Sequence, residues 1–365
     1  MRAAVLKAAG SPLVIEDIPI PRPKAEEVLI KVAACGVCHS DLHVAKGELK
    51  FPLPCVLGHE ISGVVAELGP GVRGLKPGDP VVSSFILPCG RCEPCARGRD
   101  DLCETFFAMN RLKGTLYDGE SRLRRADGSS LAMYSMGGLA EYAVVTATDV
   151  FPLPANLPLD DACILGCAIM TAYGAVKHQA ELRPGSTVAV VGVGGVGSNV
   201  VQLARLFGAA EVIAVDVRDD KLAEVGRLGA TQLVNGAKVD PVEAVLALTG
   251  GRGVDVAIEA LGRPETITNA FRMTREGGRC VVIGLGSGTA AASIEVTRLV
   301  RRSIRLTGSY GCRVRTDMPE IVSLAARGLI DVSKPISRRY RLEQIAEAYD
   351  TLNRGEIMGR AIVTM

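Results

Sequence analysis

The chain has 365 residues, a length that favours two domains over one hydrophobic core. It is 48% apolar and 22% charged, and its 42 basic and 40 acidic residues leave a formal charge of +2. This balance gives no electrostatic sign of nucleic-acid or anionic-membrane binding. The N-terminal MRAAVLKAAG lacks the apolar region of a signal peptide, so we expect a cytoplasmic protein with reduced cysteines.

The first 150 residues predict β structure in the form of a distorted barrel. Short alternating apolar runs, such as residues 28–32 and 61–68, are separated by turns rich in glycine and proline. Residues 112–138 are polar and contain several glycines, and we interpret them as a surface excursion.

Two cysteines and two histidines lie within residues 35–43, CGVCHSDLH, and His59 follows in LGHEISG. Thiolate and imidazole are ligands that zinc prefers, and an open catalytic site takes three protein ligands. Cys38 and His59 are candidates for two of them. Spacing does not identify the third, which stays open at this point.

Residues 88–103, PCGRCEPCARGRDDLC, carry four cysteines in the pattern C-x2-C-x2-C-x7-C. Four thiolates saturate a tetrahedral zinc ion and leave no position for a substrate. An iron–sulfur site would require C-x2-C-x2-C-x3-C-P, and unligated thiols on such a polar loop would invite oxidation. The pattern predicts a structural zinc site at Cys89, Cys92, Cys95 and Cys103. The cysteines without a motif partner are expected to be buried: Cys35, Cys55, Cys163, Cys280 and Cys312.

From about residue 167 the pattern changes to alternating strands and helices, which predicts a doubly wound parallel sheet. The predicted strands are residues 187–191, 212–216, 231–235, 254–260 and 279–284. Residues 184–204 carry no charge and are long enough to span a membrane, but their glycines favour a strand, a turn and a helix. A helix near residues 342–353 and a terminal strand complete the chain.

The sequence VGVGGVG, residues 191–197, has the spacing G-x-G-x-x-G between a predicted strand and a predicted helix. Gly192 permits the tight turn, Gly194 lets the backbone approach a pyrophosphate, and Gly197 allows close packing of helix and strand. Gly195 and Val196 complete this phosphate-binding loop. Asp216 follows Gly197 by nineteen residues and ends the next predicted strand. Its carboxylate would accept hydrogen bonds from ribose hydroxyls and repel a 2′-phosphate, which favours NAD over NADP, although Arg218 lies nearby.

These motifs resemble, from end to end, the zinc-dependent alcohol dehydrogenases of the medium-chain dehydrogenase/reductase superfamily. The resemblance rests on CGVCHSDLH, GHE, the four-cysteine segment, LGCAIMTAYGA, VGVGGVG with Asp216, and the terminal GRAIVTM. It implies an α/β fold with two domains. A GroES-like β-barrel catalytic domain would comprise residues 1–166 and 309–365, and a Rossmann coenzyme domain would comprise residues 167–308.

The resemblance also implies roles for individual residues. The catalytic zinc would be bound by Cys38, His59 and Cys167. A proton would leave through Ser40, the nicotinamide ribose and His43, while Asp41 orients His59 and Glu60 lies behind the metal. Thr171 would line the cofactor pocket and Phe85 the substrate pocket. The cofactor would also be contacted by His39 and Arg360 at its phosphates and by Lys221 near its adenosine ribose.

We therefore predict an oxidoreductase with NAD and two zinc ions per chain, one catalytic and one structural. It would transfer hydride between NAD and a primary or secondary alcohol, or its aldehyde or ketone, and form a homo-oligomer, either dimer or tetramer. The same machinery could act on S-(hydroxymethyl)glutathione, a polyol or threonine. A zinc-free NADPH-dependent quinone or enone reductase is opposed by Asp216 and the four-cysteine segment. A redox-sensing zinc protein without enzymatic activity would need no dinucleotide site.

Overall fold

The computed structural model describes residues 1–286 and 288–365. These residues form two compact units, one made of residues 1–170 and 312–365 and the other of residues 171–311. The expected boundaries, 166/167 and 308/309, lie four and three residues before the observed ones. Residues 167–170 stay with the first unit, where the Ala168 N–H donates to Oε1 of Glu60 at 2.8 Å.

The N-terminal part of the first unit contains ten strands in the described residues. They are β1 (Arg2–Leu6), β2 (Leu13–Asp17), β3 (Glu27–Val37), β4 (Cys55–Val56), β5 (Ile61–Leu68), β6 (Pro80–Ser83), β7 (Leu123–Arg124), β8 (Ser130–Met133), β9 (Tyr142–Thr146) and β10 (Val150–Pro152). The helices are α1 (His39–Ala45) and α2 (Glu93–Ala96), with 3-10 turns at Asp100–Leu102, Ala147–Asp149 and Asp161–Gly166 and a π-helical segment at Phe106–Arg111. Helix α3 (Ala168–Gly174) contains the boundary between the units and continues as a π-helical segment, Ala175–Ala180.

The second unit alternates strands with helices. In chain order it contains β11 (Thr187–Val191), α4 (Gly195–Leu206), β12 (Glu211–Asp216), α5 (Asp219–Gly226), β13 (Gln232–Asn235), α6 (Pro241–Leu248), β14 (Val254–Glu259), α7 (Pro264–Met273), β15 (Thr274–Val282), α8 (Val296–Arg301) and β16 (Arg305–Gly308). The chain then returns to the first unit with α9 (Val314–Ala326), β17 (Ile336–Arg341), a 3-10 turn (Leu342–Gln344), α10 (Ile345–Asn353) and β18 (Arg360–Thr364).

Two sheets build the described part of the first unit. One has the order β2-β1-β4-β8-β7, and the other has the order β10-β6-β5-β3-β18-β17, with β9 also paired to β3. Strand β3 is the centre of the second sheet, because Cys35 lies opposite Ile61 of β5 and Val363 of β18. This strand leads directly into α1, so the sheet positions the CGVCHSDLH segment.

The interpretation of residues 112–138 as a surface excursion was wrong. Strand β8 pairs with β4 in parallel, with Met133 opposite Val56. Leu123, Leu131 and Met133 are fully buried. Leu131 and Met133 alternate with small or polar residues, which is the pattern of a half-buried strand, but the surrounding charged residues concealed it.

The second unit has the predicted parallel sheet. Its order among the described residues is β13-β12-β11-β14-β15-β16, the 3-2-1-4-5-6 order of a doubly wound nucleotide-binding fold. Residues 184–204 include β11 and α4, as expected, and none of the described helices has the length and hydropathy needed to cross a membrane. The strand order reverses beside β11, and ligands of such folds bind at the carboxyl ends of the strands at this point. The buried core of the sheet comprises Ala189, Val191, Ile213, Val215, Val234, Val245, Val254, Ala257, Ala270, Phe271, Met273, Cys280 and Ile304.

Candidate catalytic metal centre and nucleotide site

Three buried side chains from separate segments of the first unit bring their donor atoms together. Cys38 precedes α1, His59 precedes β5, and Cys167 follows the 3-10 turn Asp161–Gly166. Their donor atoms all lie within 4.8 Å of one another, and Sγ of Cys167 is 3.5 Å from Nε2 of His59. Two thiolates and an imidazole form an open zinc site that leaves a fourth position for an oxygen ligand. The structure thus brings the three expected ligands together.

The two thiols of this cluster differ in pKa because they share one negative charge. Hydrogen bonding with Cys167, together with the charges of Arg360 and His59, lowers the pKa of Cys38 well below its usual value despite burial. The same hydrogen bond, together with burial, raises the pKa of Cys167 well above its usual value. A divalent cation would remove this conflict, since metal ligation ionises both thiols. The donor set therefore fits zinc.

Asp41 orients the imidazole of this cluster. Its Oδ1 lies 3.1 Å from Nδ1 of His59 and accepts the Gly58 N–H at 2.9 Å. Burial opposes a charged imidazole, but the Asp41 carboxylate and the Cys38 thiolate outweigh it and raise the pKa of His59 to about 10. With Nδ1 held by a carboxylate, Nε2 is directed at the two sulfur atoms, the usual arrangement of a metal-binding histidine.

Glu60 and Arg360 form a buried ion pair beside the cluster. Nε of Arg360 donates to Oε2 of Glu60 at 2.8 Å, and the two residues are 4% and 0% exposed. Burial raises the pKa of Glu60 to about 7, although the charge of Arg360 opposes the increase. A Cβ at residue 36 would lie 1.8 Å from Oε2, so only glycine fits beside this carboxylate. The cofactor-phosphate role expected of Arg360 stays a prediction.

Helix α1 carries the residues expected to move the proton. Oγ of Ser40 is 3.7 Å from Sγ of Cys38, next to the metal ligands. His43 lies almost one turn later, and its Nδ1 is 2.5 Å from Oε2 of Glu48. His39 is exposed at the start of the helix, where its expected phosphate contact stays untested. Sequence reasoning missed Glu48, because no motif marks it.

Two aromatic rings lie near the imidazole of His59. The ring centroid of Phe85, the expected substrate-pocket residue, is 6.0 Å from that of His59, and the centroid of Tyr134 is 5.6 Å away. The guanidinium carbon of Arg111 lies 4.3 Å from the centre of the Tyr134 ring. Tyr134 was missed because it lies in the segment interpreted as a surface excursion, although the apolar alternation from residue 131 was a usable signal.

The four-cysteine segment forms a second donor cluster. The sulfur atoms of Cys89, Cys92, Cys95 and Cys103 lie within 4.8 Å of one another. Backbone N–H groups donate to two of them: Cys92 to Sγ of Cys89 at 3.3 Å, and Phe106 to Sγ of Cys103 at 3.4 Å. Such bonds stabilise thiolates. The structure therefore brings together all four residues expected at the structural zinc site.

The pKa values in this second cluster also show that ionisation of one thiol opposes ionisation of its neighbours. Burial opposes ionisation of Cys89, but hydrogen bonds from Thr105 and the backbone lower its pKa to about 6. Burial and the neighbouring thiols raise the pKa of Cys103 to about 11 and that of Cys95 further. Four sulfur atoms this close cannot all be ionised without a cation, so this donor set also fits zinc.

The glycine-rich loop of the second unit has the geometry expected of a phosphate-binding loop. Gly192 has φ +86°, a left-handed conformation that favours glycine. A Cβ at Gly197 would lie 1.8 Å from the carbonyl oxygen of Gly192, whereas a Cβ at Gly194 would meet no atom within 4 Å. Gly195 and Val196 are the first residues of helix α4 and are half-buried. The N-terminus of this helix is therefore accessible to a phosphate group. The loop thus fits a dinucleotide pyrophosphate.

Asp216 ends β12 beside this loop. Its carboxylate accepts the N–H groups of Val193 at 3.0 Å and Val217 at 2.8 Å. Nε of Arg218 donates to Oδ1 of Asp220 at 3.0 Å, so this guanidinium already has a carboxylate partner. Lys221 lies half-buried on α5, and Thr171 is buried on α3. The cofactor contacts expected of Lys221 and Thr171 stay predictions.

Comparison with known proteins places these sites in a family. Residues 24–155 match the alcohol dehydrogenase GroES-like domain, and residues 195–327 match the zinc-binding dehydrogenase domain. The chain is 36% identical over 361 residues to the NDMA-dependent alcohol dehydrogenase of Amycolatopsis methanolica, covering 97% of this chain and 96% of that protein.

Two solved structures share the whole fold. An alcohol dehydrogenase zinc-binding domain protein from Burkholderia ambifaria is 36% identical with a TM-score of 0.94, covering 100% of this chain and 98% of that one. Benzyl alcohol dehydrogenase from Acinetobacter calcoaceticus is 30% identical with a TM-score of 0.93, covering 100% and 99%. With its GroES-like and Rossmann units and its zinc-type donor clusters, the chain belongs to the zinc-dependent medium-chain alcohol dehydrogenase family.

Proposed function

We propose that this alcohol dehydrogenase uses NAD and carries two zinc ions per chain, a catalytic one at Cys38, His59 and Cys167 and a structural one at Cys89, Cys92, Cys95 and Cys103. The observation that carries the proposal is the open, buried three-donor cluster with the Ser40 hydroxyl beside it. Three protein ligands leave one position for an alcohol oxygen, whereas the four-cysteine cluster leaves none.

Each residue around the cluster has a part in the chemistry. When bound, zinc polarises an alcohol oxygen and the nicotinamide accepts a hydride from the alcohol carbon. Asp41 holds His59 with Nε2 towards the site, and the Ser40 hydroxyl would accept the alcohol proton as it gives up its own, so that it stays neutral. His43, paired with Glu48 at the surface, releases the proton to solvent. The buried rings of Phe85 and Tyr134 exclude water from the reacting atoms.

The preference for NAD over NADP is supported by Asp216. Its carboxylate stands where an adenosine ribose binds in this fold and would repel a 2′-phosphate. Arg218, the nearby cation that could favour NADP, is paired with Asp220. A relative is named NDMA-dependent, so we include NDMA in the test beside NAD and NADP.

The aromatic rings favour an apolar or aryl alcohol as substrate. Phe85 and Tyr134 are 5% and 2% exposed, and both rings are edge-on to that of His59. Of these two side chains, only Tyr134 has a polar group, its hydroxyl, that could bond to the additional hydroxyls of a polyol. A structural relative is named benzyl alcohol dehydrogenase, which agrees with this substrate class.

The test is a panel of benzyl alcohol, butanol, a polyol, threonine and S-(hydroxymethyl)glutathione, each assayed with NAD, NADP and NDMA. We expect the highest kcat/KM with benzyl alcohol and NAD, two zinc ions per chain by elemental analysis, and loss of turnover after dialysis against a chelator. A highest kcat/KM with a polyol or threonine would overturn the substrate class. Turnover that persists in metal-free protein would overturn the zinc mechanism.

A further inference from the structure

Tyr349 lies on the buried face of helix α10. Ile345, Ala348, Tyr349 and Leu352 follow the i, i+3, i+4, i+7 pattern of a core-facing stripe, and each is at most 6% exposed. Helix α10 contacts α1 and β3. Within the described residues the Tyr349 hydroxyl is buried and has no hydrogen-bond partner. Leaving a buried hydroxyl without a partner costs about 1–3 kcal/mol, so an acceptor near this oxygen is expected.

The matching acceptor is Asp41 on α1. One of its oxygens, Oδ1, serves both His59 and Gly58. In the described part of the chain Oδ2 is buried and has no hydrogen-bond partner of its own. A carboxylate held through one oxygen can rotate about its Cβ–Cγ bond, and an imidazole oriented by it would rotate too.

The electrostatic surroundings of the Tyr349 hydroxyl agree with this pairing. Burial raises the pKa of Tyr349 well above its usual value, and the charge of the Asp41 carboxylate is the next largest cause. The thiols of Cys35 and Cys38, which both precede α1, contribute in the same direction. Because α10 packs against α1 and both oxygens are buried without another partner in the described residues, the Tyr349 hydroxyl and Oδ2 of Asp41 are the matching donor and acceptor.

We propose that Tyr349 is a positioning residue, whose hydroxyl donates a hydrogen bond to Oδ2 of Asp41 and so fixes the carboxylate that orients His59. The inference rests on the proposed catalytic zinc site. It adds Tyr349 behind Asp41, which in turn lies behind the metal ligand His59. Outer partners of this kind typically change metal affinity about 10–100-fold when they are removed.

The test is Tyr349→Phe in the full-length protein, because this change removes one oxygen and keeps the ring that packs α10. The catalytic site is loaded with Co²⁺, whose absorption reports the ligand geometry, and its release to a chelator is timed. We expect release to accelerate about tenfold or more and the cobalt absorption to shift, while the four-cysteine site keeps its metal.

Tyr340→Phe is the matched control. Tyr340 is 5% exposed on β17, and its hydroxyl too has no hydrogen-bond partner among residues 1–286 and 288–365. We expect this variant to leave the release rate and the cobalt absorption unchanged. Equal effects of the two variants would reduce Tyr349 to a packing residue and overturn the proposal.

A double-mutant cycle tests the acceptor. In Asp41→Ala no side-chain acceptor remains at this position, so adding Tyr349→Phe should change metal release less than about twofold. An undiminished effect in that background, or an unchanged release rate in Tyr349→Phe alone, would overturn the inference and leave the zinc site standing. If the native protein takes up no Co²⁺ at Cys38, His59 and Cys167, the proposed function and the inference both fail.

Discussion

The guanidinium of Arg315 holds the carboxylate of Asp100, which lies 215 residues earlier in the chain. Its Nη2 is 2.9 Å and its Nε 3.0 Å from Oδ1, and Nη2 also donates to the carbonyl of Cys95 at 2.5 Å. Asp100 is only 1% exposed. Because Cys95 is a proposed zinc ligand, this ion pair ties the four-cysteine segment to the start of α9.

Arg315→Leu should therefore weaken the structural zinc site. It removes the partner of a buried carboxylate, and charged hydrogen bonds of this kind contribute about 2–3 kcal/mol. We expect a lower thermal midpoint and faster release of one zinc ion to a chromogenic chelator. The control is Arg97→Leu, which breaks an exposed pair with Glu93 on α2 and should cost less than about 1 kcal/mol. Equal effects would contradict the role of Arg315.

The two metal clusters should respond differently to loss of a thiol. Cys38→Ala removes a ligand of the open site, so we expect turnover to disappear while one zinc ion and the thermal midpoint are retained. Cys103→Ala removes a ligand of the closed site and should lower the midpoint by roughly 10 °C. Elemental analysis and calorimetry measure both effects. Equal losses of stability in the two variants would contradict the proposed division of labour.

Asp216→Asn should shift selectivity towards NADP. The amide removes the negative charge and keeps one acceptor oxygen, which can serve the Val217 N–H bonded to Oδ1 but not also the Val193 N–H bonded to Oδ2. Charges about 4 Å apart near a protein surface interact by several kcal/mol, so we expect the ratio of kcat/KM for NAD to that for NADP to fall about tenfold or more. A ratio that stays constant would contradict the role of Asp216. The comparison variant is Lys221→Met, which keeps the Asp216 carboxylate.

The buried carboxyl of Asp149 should make stability depend on pH. Burial raises its pKa well above the usual 3.8, although the hydroxyls of Ser83 and Ser84 donate to it. The folded chain thus binds this proton more tightly than the unfolded chain. The stability it contributes is complete below pH 3.8 and is lost as pH rises towards the folded pKa.

Asp149→Asn is neutral at every pH and should escape this loss. The difference in the free energy of unfolding, variant minus native protein, should therefore increase from pH 5 to pH 8, by about 1.4 kcal/mol for each pH unit below the folded pKa. Scanning calorimetry at several pH values measures it. A difference independent of pH would show that Asp149 is ionised in the folded protein.

Local patterns were enough to predict much of this protein. The four-cysteine segment and the glycine-rich loop were predicted because their chemistry depends on residues close in sequence. The parallel strands around VGVGGVG were found because strands buried on both faces are continuous apolar runs. The cysteines without a motif partner, such as Cys163 and Cys280, are buried as expected.

The sequence was a poor guide to burial where a segment has no clear periodicity. Residues 112–138 contain the short strands β7 and β8 among charged residues, so their burial was not visible. Glu48, Arg315 and Tyr349 belong to no motif. Their partners are fixed by the way helices and loops pack, which one sequence does not show.

The sequence by itself determined the secondary structure of the nucleotide-binding unit, the composition of the four-cysteine cluster and the family. These properties depend on spacing, on glycine conformation and on the apolar period, and all three can be read along a chain. Spacing left open that Cys167 joins Cys38 and His59, which only the family resemblance implied, and the tertiary structure alone decided that Arg360 meets Glu60 and Arg315 meets Asp100. Such contacts depend on strand pairing and helix packing, which bring together residues that no local interaction connects.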